Sequence, residues 1–336
     1  MLCILYVNLV GVCLGVFGVL VERLLPPTWP RRWMWCAIIA ISIVLPGYYR
    51  FHHNWSVIAA LNPPAAATGH EMGTPSLPLL DADWWAHTRS YDRVINRVWL
   101  TASAVLILFG VANAWRVWRI VHRSRRRRGA ASQPTVVDGI PVLLTDSTGP
   151  ATVGLLRTRV LVPRWVLALP GVQRQYVLHH EDEHRSAHDA HLLFVASLTL
   201  LLMPWNLALW WLLRRLGLAV EMDCDNRVVR ALGDPIAYGE LLLKVAQAAS
   251  RGPRLQPALL GGVGMLEQRL TVLLAPTPLR HVQRFLLPAM ALGLLFVVLS
   301  MPHPVLGARA KTHVGASVAG SAEHPMPSTE ARVAHR

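Results

Sequence analysis

Cysteine is scarce, at four in 336 residues. Cys3, Cys13 and Cys36 fall in apolar runs and Cys224 lies in a polar one, so no pairing framework exists and a disulfide scaffold is excluded. Charge is also scarce, at 15% against 53% hydrophobic residues, and mean hydropathy is +0.36. An ordinary soluble domain of this length rarely combines those values. No Lys-Ser/Thr pair follows Gly261-Gly262-Val263-Gly264, which removes a phosphate loop and leaves a hinge. The first apolar run has no basic segment before it, and Glu22-Arg23-Leu24-Leu25-Pro26-Pro27 offers no small-residue cleavage site. A retained span is therefore expected there, not a signal peptide.

What the chain does have is long apolar segments. Leu2–Val21 carries no charge, and Trp33–Tyr49, Val98–Trp115 and Phe285–Met301 are nearly as clean. Each is close to the length that crosses hydrocarbon, which predicts an α-helical membrane protein of about four transmembrane helices. The net charge of +14 is mostly arginine. Arg116, Arg119, Arg123 and Arg125–Arg128 crowd the exit of the third span, and Arg23, Arg31 and Arg32 lie between the first two. Beside spans, such runs mark the cytoplasmic side and meet anionic membrane lipid; no groove-reading element accompanies them, so direct nucleic-acid binding is not expected. Placing both clusters inside puts loop 50–96 and the tail outside and residues 116–284 inside. Loop 50–96 carries arginine as well, so the bias is relative.

The expected organisation is a three-helix transmembrane region over 1–122 with external loop 50–96, and a cytoplasm-facing domain over 123–283. A final span over 284–302 and a disordered external tail over 303–336 follow. Inside the second region, Thr135–Val137, Pro141–Thr145 and Arg159–Val162 read as short strands, with turn chemistry at Asp146–Pro150. Val172–His191 reads as one helix. The apolar run Leu192–Leu213 is broken by Pro204-Trp205-Asn206, which predicts a hairpin over 192–213 that keeps both flanks on one side. Helices are expected at Gly217–Leu232, Ile236–Ala249 and Leu266–Leu274.

The Val172–His191 helix contains His180-Glu181-Asp182-Glu183-His184. Histidines four apart share one helix face and can reach one metal ion, and the glutamate beside the first projects near the open coordination position. That is the minimal machinery of a zinc peptidase. Among fifteen histidines, the same residues with His188 and His191 also read as a polar helical stripe or a loose metal patch. Downstream, Glu221 and Asp225 are four apart, suited to a ligating and a supporting carboxylate, or to a solvated acidic face. Asp189 is a further candidate partner for a ligand imidazole.

Taken together, the order resembles the BlaR/MecR-type antirepressor membrane metallopeptidases, a gluzincin branch. The resemblance runs through Pro150–Leu156, Val160-Leu161-Val162-Pro163, Leu178-His179-His180-Glu181, His184, Asp189, Pro204-Trp205-Asn206, Trp210-Trp211, Glu221 and Cys224-Asp225. It implies an inserted α+β gluzincin-like zinc peptidase domain. His180, His184 and Glu221 would hold Zn2+, with Glu181 as general base and Asp225 and Asp189 as the supporting shell. An edge strand would hold substrate extended. It also implies a multi-pass protein of a bacterial-type inner membrane acting in signalling, with a cytoplasmic repressor protein as substrate. A non-proteolytic zinc-binding transducer and a quality-control protease are the alternatives. Asp182, Glu183 and Arg157-Thr158 depart from the family pattern. About 35 residues follow the last span without a Ser-xx-Lys motif, so β-lactam sensing by acylation is not expected.

Overall fold

The computed structural model describes residues 2–26, 29–61, 82–126, 135–145, 149–155, 158–250, 263–274 and 281–300. The centre of loop 50–96, the linker at 129–133, the turn at 146–148, Arg157, Gly261-Gly262 and the tail 303–336 lie outside them. Helices dominate: α1 (Leu2–Leu24), α2 (Arg31–Leu61) and α3 (Ala82–Arg126) come first. A sheet follows, of β1 (Thr135–Val137), β2 (Ile140–Thr145), β3 (Ala151–Val153) and β4 (Arg159–Pro163). Then come α4 (Arg164–Leu167), α5 (Gly171–Ser186), α6 (Asp189–Leu202), α7 (Leu207–Leu232), α8 (Pro235–Ser250), α9 (Val263–Leu274) and α10 (His281–Ser300).

Among the described residues, two helices are long and apolar enough to cross a membrane, over Ile4–Leu24 and Asn96–Arg123. These cover the first and third expected spans. The fourth falls in a shorter apolar helix, Phe285–Ser300, and the second lies within α2. Large apolar side chains face outward along these helices, among them Leu5, Leu9, Val105, Leu108, Phe109, Leu292 and Phe296. A surface of that kind suits lipid. Between α1 and its neighbours, small residues allow close approach. A Cβ on Gly11 would sit 2.8 Å from Ala208 Cβ, and one on Gly15 would run into the Trp211 ring.

The sheet has the order β1-β2-β4-β3, with β2 and β4 parallel and the outer pairs antiparallel. Its strands alternate between two cores, as a pleat requires. Val142, Val160 and Val162 join Tyr176, Val177, Leu178, Cys224, Val228 and Tyr238 on one side. Leu143, Val153 and Leu161 pack against Val117, Ile120 and Val121 of α3 on the other. The arginine-rich end of α3 thus covers one face of the sheet and leaves Arg116, Arg119 and Arg123 exposed. Strand β3 was not among the expected strands.

Two expectations change. The apolar run 192–213 does fold back at Met203–Asn206, but its second limb continues without interruption into the polar helix, giving one 26-residue α7. The helix expected over Val172–His191 is two helices. It ends at Ser186, and His188 adopts a left-handed conformation (φ 57°) before α6 begins at Asp189. His188 and His191 therefore leave the stripe of His180 and His184.

The turn at 203–206 sits among outward-facing apolar side chains, including Val195, Leu202 and Leu207, where unpaired backbone groups are costly. Side chains from three helices satisfy it. Trp99 Nε1 donates to the Leu202 carbonyl (3.1 Å) and Ser103 to that of Leu201 (3.0 Å). Asn8 Oδ1 accepts from the Leu207 N–H (3.0 Å), Asn206 caps α7 through the Leu209 N–H (3.0 Å), and Trp210 Nε1 reaches the Pro204 carbonyl (2.9 Å).

The α1–α7 contact yields a direct expectation. Gly15→Val forces a branched side chain into the Trp211 ring and should destabilise the fold by about 1–3 kcal/mol. Thermal unfolding in detergent measures it; an unchanged midpoint would contradict the close approach.

Candidate metal centre

The hairpin brings the two halves of the candidate site together. His180 and His184, on α5, direct their Nε2 atoms toward each other at 3.3 Å. Glu221, on α7, places Oε2 3.6 Å from His180 Nε2 and Oε1 3.9 Å from His184 Nε2. A tetrahedral ion with nitrogen ligands at 2.0–2.1 Å holds them about 3.3–3.4 Å apart. The imidazole pair matches that separation, and the carboxylate stands a few tenths of an ångström outside it. Cys224 adds a thiol that, with His180 and His184, forms a group whose donor atoms lie within 4.8 Å of one another. This donor set suits zinc.

Each imidazole is also held from behind. His184 Nδ1 lies 2.8 Å from Asp189 Oδ2. His180 Nδ1 lies 2.9 Å from the Tyr238 hydroxyl and 3.3 Å from Cys224 Sγ. With Nδ1 engaged, each ring presents Nε2 forward, which is the arrangement that orients histidine ligands. Tyr238 in turn donates to Asp225 Oδ1 at 2.7 Å. Arg269, from α9, grips Asp225 through Nε (2.8 Å) and NH2 (2.7 Å) and places NH1 2.9 Å from Glu221 Oε2. One guanidinium therefore fixes both acidic residues of the Glu221–Asp225 helix face.

Electrostatics follow from this packing. Burial disfavours a charged imidazole at His180, yet Cys224 and Glu221 outweigh it and push the group up to about 10. His184 is likewise raised against burial, by Cys224, Asp189 and Glu221. Burial would raise Glu221, but Arg269 and the two histidines hold it well below the usual carboxylate range. The Cys224 thiol is lowered despite burial by the same histidines. The acids and the thiol thus favour positive charge between the two imidazoles, which suits the pocket to a cation.

Glu181 is buried, with Oε2 3.1 Å from the Thr152 hydroxyl of β3; the same hydroxyl lies 2.6 Å from the Glu181 backbone carbonyl. Edge strand β3 is therefore fastened to the motif helix at the glutamate itself. The departures Asp182 and Glu183 turn to arginines: Asp182 Oδ1 accepts from Arg185 Nε (2.7 Å) and Glu183 Oε2 from Arg227 Nε (2.6 Å). They are structural ion pairs at the flank of the site.

All six residues singled out from the sequence lie in this one region. Tyr238, Arg269, Thr152 and Arg32 were not singled out. Each lies in another element: Arg32 was read only as part of a basic cluster and Thr152 only within the run Pro150–Leu156, and nothing local marks Tyr238 or Arg269.

Removal of the shared cation has a defined consequence. Arg269→Met leaves Glu221 and Asp225 buried without a counter-charge, and metal-free protein should lose about 3–5 kcal/mol of stability. Thermal unfolding with and without added zinc measures this, and zinc should recover part of the loss.

A search of curated proteins finds no match to the chain. The family model described as BlaR1 peptidase M56 matches residues 2–273, a stretch that contains the hairpin and every residue of the centre just described. On that match, the chain belongs to the BlaR1 peptidase M56 family of metallopeptidases.

Proposed function

We propose that this chain is a multi-pass membrane zinc endopeptidase whose centre faces the cytoplasm, and that it acts in signalling by cutting a cytoplasmic transcriptional repressor. The observation that carries the reading is the convergence of His180, His184 and Glu221 from two separate helices, at 3.3 to 3.9 Å. Family membership supports the peptidase chemistry. The arginine bias of the segments flanking the spans supports the orientation. The repressor rests on the resemblance to the antirepressor branch.

His180, His184 and Glu221 would hold the ion, with Cys224 beside them. A bound zinc supplies Lewis acidity, polarising a peptide carbonyl and acidifying water. Glu181 then takes the proton from the attacking water on a carboxylate oxygen and returns it to the leaving amine. Thr152 restrains that carboxylate at Oε2 and ties it to β3. As the sheet's edge, β3 has backbone groups suited to pairing with an extended substrate strand. Substrate would then lie along the strand that positions the base.

The residues separate this reading from a non-proteolytic transducer. Glu181→Ala should retain zinc, measured by metal analysis of detergent-purified protein, and lose cleavage of a co-expressed repressor by a hundredfold or more, on the order of a lost general base. His184→Ala should lose both metal and cleavage. Signalling that persists undiminished in Glu181→Ala would sink the peptidase reading.

A further inference from the structure

Asp189 spends both carboxylate oxygens. Oδ2 meets His184 Nδ1 at 2.8 Å, and Oδ1 accepts from Arg32 NH1 at 2.6 Å. Arg32 is the second residue of α2, in an element that otherwise has no part in the centre. The start of α2 is held a second time. Asp223, two positions after Glu221, accepts the backbone N–H of Arg31 and of Arg32, at 3.0 Å each. The residue before this helix is Pro30, which has no capping side chain, so the first turn's free donors are met by a remote aspartate. One turn of α2 is thereby bonded both to the helix that carries Glu221 and to the carboxylate that holds His184.

We propose that Arg32 is a positioning residue of the metal centre, through which the start of α2 sets the ring of His184. The inference rests on the zinc-site reading above. A carboxylate that orients a ligand imidazole must itself be oriented, or its oxygen swings away from Nδ1. Arg32 supplies that constraint. Arg227 does not substitute: its NH2 stands 3.6 Å from Asp189 Oδ2, while its Nε is committed to Glu183. Both aspartates and Arg31 are buried, so water does not readily replace these contacts. Displacement of α2 relative to α6 pulls on Asp189 and thus on His184, which makes α2 an input to the centre.

The test uses full-length chain in detergent or lipid nanodiscs, with Zn2+ and Co2+ as probes. Arg32→Met should weaken zinc binding roughly tenfold or more against a competing chelator and alter the visible bands of the cobalt form. Arg32→Lys should restore part of both. In an Asp189→Asn background, Arg32→Met should add nothing, because the two act through one contact. Zinc affinity within twofold of wild type together with an unchanged cobalt spectrum overturns the proposal, as does a full further loss on Asp189→Asn. Should Arg32→Met fail to fold, the wild-type chain carries the test. By reciprocity, zinc should slow hydrogen exchange at the first amides of α2, and unchanged exchange overturns the coupling. A wild-type chain that binds neither ion overturns the proposed activity and this inference with it. Wild type and Arg32→Met that bind equally well overturn this inference alone.

Discussion

The return of the chain at Met203–Asn206 is the constraint on which the centre depends. Had the apolar run 192–213 continued as one helix, Glu221 would lie far along its axis from His180, at about 1.5 Å per residue. Reversal requires a backbone break among apolar side chains, where a peptide group without a partner costs several kcal/mol. The chain meets that cost with Trp99 and Ser103 from α3, Asn8 from α1, and Asn206 and Trp210 beside the turn. None of these hydrogen bonds involves His180, His184 or Glu221. Yet they permit α6 and α7 to lie side by side, and so permit a carboxylate to face a histidine pair 41 and 37 positions earlier.

A second constraint is charge balance. Asp225, Asp189 and Asp223 are buried and Glu221 nearly so, and a buried carboxylate is costly unless it has a donor. The donors come from different elements. Arg269 serves Glu221 and Asp225, Arg32 serves Asp189, and two backbone amides serve Asp223. The histidines then face acids and a thiol that favour positive charge at the imidazoles, and a divalent ion would have to displace the protons they favour. The apparent role of each arginine is thus set by the acid it neutralises. The first two helices and the candidate centre become parts of one network, since α2 contributes a donor and α1 and α7 share the Glu22–Arg215 pair.

The sequence disclosed the local geometry. Two histidines four apart define a face from helical periodicity alone, and Glu221 and Asp225 repeat the spacing. The hairpin was legible because proline interrupts an apolar run at its middle. Among the described residues, two of the four expected spans are both long and apolar enough in helical form, since length and composition are readable directly. What could not be read is contact between distant elements. Tyr238 behind His180, Arg269 between two acids, and Arg32 reaching Asp189 have no periodic signature, because their partners lie 58, 44 and 157 positions away.

Asp189 meets the His184 imidazole, but by a local route other than the one expected. In a continuous helix five residues separate it from His184, a rotation of about 140° that would carry the carboxylate away from the imidazole. The left-handed turn at His188 removes that rotation. Histidine tolerates this conformation better than most side chains, though it is still less stable than a helical one. The chain accepts the strain because Asp189 then becomes the first residue of α6, with its backbone bonds open on one side and its side chain free to turn back. One residue out of helical register thus ends the motif helix, starts the hairpin and delivers the carboxylate that meets the His184 imidazole. The break in the helix is itself part of the metal centre.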